Sequence, residues 1–125
     1  MALYSLSMTV LTFLLGEMEE MLYVLFALMV IGFVSFAISK AITGQVTLRD
    51  IIIELLKKLL VLIMVAVANL LDKIIPLGLS IRDFTVVFYI FFELLSIITH
   101  VSNSGLPVPQ FIRDALNELK NRIKK

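Results

Sequence analysis

The chain has 125 residues, 60% of them hydrophobic, a mean hydropathy of +1.03, eleven Lys and Arg against ten Asp and Glu, and no cysteine. That length allows one domain, and an apolar fraction well above the roughly half-apolar make-up of soluble domains calls for lipid or a large assembly to cover it. Disulfides and thiolate metal sites are excluded, while a net charge of +1 excludes nothing by itself.

The first segment, "MALYSLSMTVLTFLLG", places Ser5, Thr9, Thr12 and Gly16 at i, i+4, i+7 and i+11, a small and mildly polar stripe on an otherwise apolar helix. An interfacial helix over residues 1–16 fits this pattern. A signal peptide is the rival reading, but no Lys or Arg precedes the apolar run and no small-x-small cleavage site follows it. Residues 21–39 then run without a charge, which meets the length of about 20 residues needed for a helix to cross a bilayer. Within that run Gly32, Ser35, Ser39 and the following Thr43 form a narrow strip of small residues, the kind that lets helices pack closely.

The second apolar block is shorter. Residues 59–71 are uncharged, bounded by Lys57 and Lys58 on one side and Asp72 and Lys73 on the other. Alone it is compatible with a buried core helix; with lysine stems reaching toward the interface, a span over about 53–75 results. A turn follows at Pro76, Gly78 and Ser80, predicting a tight hairpin into a third span over about 84–101. After that, "SNSGLPVPQ" reads as a turn and extended linker, because Pro107 and Pro109 bias the residues before them away from helix and Gly105 relieves the backbone. The tail repeats Phe111, Ile112, Ala115, Leu116, Leu119 and Ile123 at helical spacing with charges opposite, an amphipathic helix for the membrane surface or a partner.

The expected fold class is therefore an all-α integral membrane protein with three transmembrane helices (about 21–39, 53–75 and 84–101). Its expected organisation is an interfacial segment (1–16), a membrane domain (17–104), and a linker with a basic amphipathic tail (105–125). No Lys or Arg precedes residue 40, four lie within 40–58, two (Lys73 and Arg82) lie at the hairpin, and five lie in the tail. Three spans with the N-terminus outside place the basic-rich segments in the cytoplasm and the poor ones outside. A fourth span at the N-terminus would keep the same inner loops.

Two of the predicted spans carry a polar face. At about 100° per residue, Tyr89, Glu93, Ser96 and His100 fall within a stripe roughly 60° wide, and Glu54, Lys58, Asn69 and Asp72 do the same on the second span. An ionised carboxylate facing lipid is costly, so Glu93 must be neutral, paired or wet. The bland reading makes these groups hydrogen-bonded glue between helices; the sharper one makes them line water in an oligomer. Enzyme chemistry is not supported. One histidine allows no multi-histidine metal site, neither a phosphate-cradling GxxxxGK[ST] loop nor a GxSxG elbow is present, and Glu93, Ser96 and His100 lie side by side on one helix instead of converging. Catalytic residues and cofactors are accordingly expected to be none. The tail mixes Asp114 and Glu118 with its basic residues, which argues against a nucleic-acid arm.

The runs "ANLLDK" (68–73), "FYIFFELLSI" (88–97) and "GLPVPQFIRDALNELK" (105–120) resemble the phage holin family that also includes clostridial toxin-secretion holins, over about residues 22–120. The matching positions are Asn69, Asp72, Tyr89, Glu93, Ser96, Gly105, Pro107 and Pro109. The chain departs from the family pattern where it has "GFVSF", Gly32 to Phe36, in place of an Asp-Tyr-x-Thr-Gly signature, and His100 in place of Asn. The resemblance implies a homo-oligomer in the bacterial cytoplasmic membrane that opens lesions. Endolysin, or a toxin in toxin loci, then crosses without needing to touch it. Two other classes fit the residues alone: a non-lytic scaffold or accessory subunit, giving stable protein without permeability, and a small channel, passing ions but not folded protein.

Overall fold

The computed structural model describes residues 2–15, 19–44, 46–75, 78 and 80–124. Gly16, Glu17 and Pro76, on which the sequence reading drew, lie outside the described residues, as does the Ile123 side chain. Among the described residues the secondary structure is all helical. The five helices are α1 (Ala2–Leu15), α2 (Glu20–Thr43), α3 (Leu48–Ile74), α4 (Ile81–Asn103) and α5 (Gln110–Lys124).

Local chemistry sets the helix boundaries. Gly44 ends α2 in the left-handed region at φ 79°, its N–H donating to the Ala41 carbonyl at 3.2 Å, a conformation that costs glycine nothing. Thr47 and Ser80 then open α3 and α4, each hydroxyl accepting the backbone N–H three residues on, from Asp50 and Asp83 respectively, at 3.1 Å. Residues 106–109 are non-helical, as the two prolines require, and α5 begins after them.

Helices α2 and α4 lie side by side and parallel: Arg82 reaches Glu19 at one end, and Phe36 meets the His100 ring at 5.6 Å near the other. Helix α3 runs antiparallel to both, forming the expected hairpin with α4. The inward face of α2 is Leu22, Leu25, Met29, Gly32, Phe36 and Ser39, so Gly32 and Ser39 of the small-residue strip point inward, Ser35 sits at its edge, and Thr43 is exposed. The core is small, built on Leu22, Leu25, Met29, Val61, Val65 and Val86. By contrast, long apolar side chains stand exposed along every helix, among them Leu3, Val30, Ile38, Leu60, Phe88 and Phe111.

Helices α2 and α4 are long and apolar enough to cross a membrane, and only 28% and 11% of their most apolar stretches is enclosed by the rest of the molecule. In water, that much outward-facing apolar surface would associate or aggregate. Helix α3 has 27 residues but does not meet the same test, because Glu54, Lys57, Lys58, Asp72 and Lys73 lie within it. The composition of the helices thus supports two of the three sequence-predicted spans. Helix α5 turns back beside α4 and buries Leu116, so its apolar face meets the chain's own helices. A cavity of about 530 Å³ remains there, lined by Leu28, Ile31, Leu94, Ile98, Ile112 and Leu119 among others.

Candidate functional site

Glu93 sits midway along α4 and is completely buried (0% exposed). Its Oε2 accepts a hydrogen bond from Lys58 Nζ at 2.5 Å, and Glu54, one turn before Lys58 on α3, lies 3.9 Å from the same ammonium. Two carboxylates therefore share one lysine between adjacent helices. The third wall is α2: a Cβ placed on Gly32 would fall 2.7 Å from Glu93 Oε2 and 3.2 Å from Lys58 Nζ. Only a residue without a side chain leaves the pair this seat. Glu93 Oε1 is buried with no hydrogen-bond partner among the described residues, a state that carries a desolvation penalty with no compensating bond.

Beside the pair, a cavity of about 510 Å³ opens between α3 and α4. Glu54, Lys58, Tyr89, Glu93, Ser96 and His100, six of the eight residues of the two predicted polar stripes, line it, together with Lys57. All four α4 positions face this cavity. Its remaining walls, including Val61, Met64 and Phe92, are apolar.

The other two stripe residues, Asn69 and Asp72, are not brought to this cavity. They lie toward the opposite end of α3, where they bond to backbone. Asn69, 7% exposed, donates from Nδ2 to the carbonyls of Phe13 and Leu14, both at 3.0 Å. Lys73 Nζ donates to the Phe13 carbonyl at 3.2 Å and stands 4.0 Å over the Phe13 ring. Arg82 Nε donates to the Leu15 carbonyl at 2.6 Å. Three carbonyls at the C-terminal end of α1 are thus met by one amide and two cations, the charge sign a helix C-terminus favours. Asp72 does the converse for α4, its carboxylate accepting the N–H groups of Ile81 at 2.8 Å and Arg82 at 2.9 Å.

Arg82, which the sequence marks only as a charge for orientation, is also part of this cluster. It is 7% exposed and also approaches Glu19 at 3.9 Å and Asp83 at 3.4 Å. The Leu15 carbonyl it meets is 67 positions away in sequence, so no periodicity signal could reveal it. Gly105 has φ 90° in the linker, where the sequence placed a backbone requirement. Among the described residues no group of three or more His, Asp or Glu is arranged to hold a metal.

What the arrangement can do is electrostatic. It keeps charges in the middle of an apolar bundle by pairing them with each other, and it places them on a face that opens to one side. No solved structure matches the chain. The uncharacterized protein YtkC of Bacillus subtilis is 33% identical over 113 residues, 90% of this chain and 84% of that protein. The uncharacterized protein BH0965 of Halalkalibacterium halodurans is 33% identical across 87% of this chain and 84% of its own length. The uncharacterized protein CPE0383 of Clostridium perfringens is 35% identical across 67% of this chain and 60% of its own length. The family model described as the bacteriophage holin family matches residues 9–121, and with that coverage the chain belongs to the bacteriophage holin family.

Proposed function

We propose that this protein is a working holin: it crosses the bacterial cytoplasmic membrane through α2, α3 and α4, self-associates, and opens lesions through which endolysin, or a secreted toxin, passes. The N-terminus lies outside, α1 rests at the outer surface, and the basic tail is cytoplasmic. Carrying this reading is the paired polar cavity between α3 and α4 in a holin-family chain whose long helices carry exposed apolar side chains along their length. A polar face of that kind is costly against lipid and serves best when neighbours or water cover it.

The charges that count against α3 as a span are mostly matched. Lys58 meets Glu93, Asp72 meets the first N–H groups of α4, and Lys73 meets an α1 carbonyl. Lys57, which has no partner among the described residues, is left to snorkel toward the cytoplasmic interface. At 1.5 Å per residue, α3 measures roughly 40 Å, enough for a tilted crossing. The orientation rests on the basic-residue distribution, none before residue 40 and five after residue 110.

Controlled expression in a bacterium that also makes an endolysin without an export signal tests the reading through culture turbidity. Abrupt loss of turbidity requiring both proteins is the expected result. Membrane-localised protein with an intact, growing culture would instead assign the chain to a non-lytic scaffold or a narrow ion pathway.

A further inference from the structure

We propose that the Lys58–Glu93 pair seated on Gly32 is the latch that holds the unopened packing and sets when it gives way; this deepens the holin reading and rests on it. Three observations converge on one point in the molecule. The pair joins α3 to α4 at 2.5 Å. Its seat is on α2, where Gly32 alone leaves room for both charged ends. The same two residues line the cavity whose polar face must be covered in lipid. One contact thus ties all three long helices together and also neutralises the face that would otherwise draw water inward.

The pair is also poised to change partners. Glu93 Oε1 has no bond among the described residues, and Glu54 stands 3.9 Å from Lys58 on the same helix. Charge in the unopened state is therefore only partly satisfied, and any arrangement that admits water or a neighbouring copy's donors satisfies it better. Breaking the pair removes the tie and leaves an unmatched charge in the bundle, so both effects push toward opening. Polar contacts within membranes are worth about 3- to 20-fold in an equilibrium constant, and the latch is expected to shift the balance between closed and assembled states by that factor.

Gly32 supplies the most selective perturbation. An added methyl would collide with the far ends of two flexible side chains and not with backbone, so the helices keep their packing while the carboxylate and ammonium are pushed apart. The experiment compares wild type, Gly32→Ala, Glu93→Gln, Lys58→Met and the exchange Lys58→Glu/Glu93→Lys in the endolysin co-expression strain, at matched amounts of membrane protein. Lysis onset and the chemically cross-linked oligomer ladder in the membrane are read together. The exchange keeps two carboxylates and one lysine across the same helices. Expected are earlier onset and earlier appearance of oligomers in the three single variants, with timing returning toward wild type in the exchange. Onset unchanged or later in the single variants, or an exchange as early as Lys58→Met, overturns the latch. Wild type that never lyses the culture overturns the holin reading instead, while the ladder still reports whether the pair restrains assembly.

Discussion

The two ends of the α3–α4 hairpin handle polar groups in opposite ways. Near the turn, Asn69, Asp72, Lys73 and Arg82 bond to backbone, meeting the carbonyls that end α1 and the amides that begin α4. Farther along, Lys58, Glu54 and Glu93 meet one another, beside a cavity that also holds Ser96 and His100. Helix ends always have unmet backbone groups, and in this packing the first set supplies their partners. Side-chain pairs have no such obligation. In this packing the polar stripe on α3 therefore divides into Asn69 and Asp72, which bond to backbone, and Glu54 and Lys58, which meet charged side chains.

This division is sharpest at Asn69. Its replacement by alanine removes a donor from two part-buried carbonyls, of which that of Phe13 keeps Lys73, a loss of about 0.5–1.5 kcal/mol. A lower melting temperature in detergent and faster proteolysis of α1 are expected, with lysis onset unchanged at matched protein amounts. An onset as early as that of Lys58→Met would erase the distinction between the two clusters. Ser80→Ala removes the α4 cap at Asp83 and is expected to cost about 1 kcal/mol, seen again as a melting shift without a timing shift. His100→Leu removes the edge-on contact with Phe36, worth about 0.5–1.5 kcal/mol for ring pairs in general and expected here at the low end because His100 is only half-buried. Glu118→Ala breaks an exposed pair with Arg122 on α5. It is expected to change stability by no more than about 0.5 kcal/mol, which makes it the reference for a variant that matters to neither cluster.

Much of the fold is legible in the sequence because its signals are local. The long uncharged run of α2, the turn at Ser80, Gly105 and the two linker prolines each act on the chain within a few residues. Helical period also finds the α4 stripe, and all four of its members face one cavity. What period cannot supply is the partner. Asn69 and Glu54 share a face of α3, yet Asn69 bonds to residues 55 and 56 positions away on α1, while Lys58 bonds 35 positions away on α4. Gly32 is recognisable as a small residue in an apolar run, but the reason for its size, the charged pair lying against it, exists only once three helices meet. The α1 helix shows the same limit: its Ser and Thr stripe is visible, with Thr9 bonding to the Ser5 carbonyl within its own helix, whereas its docking depends on donors from α3 and α4.

The most direct measurement uses the absence of native cysteine. Ser96→Cys places a single thiol on the α3–α4 cavity beside Glu93, and Val65→Cys places one in the buried core. Both are exposed to a membrane-impermeant thiol reagent before and after lysis onset. If the polar cavity goes from covered to water-lined on opening, the thiol at position 96 is protected before onset and labelled after it, while the thiol at position 65 stays protected throughout. Equal labelling at position 96 before and after onset would contradict the account.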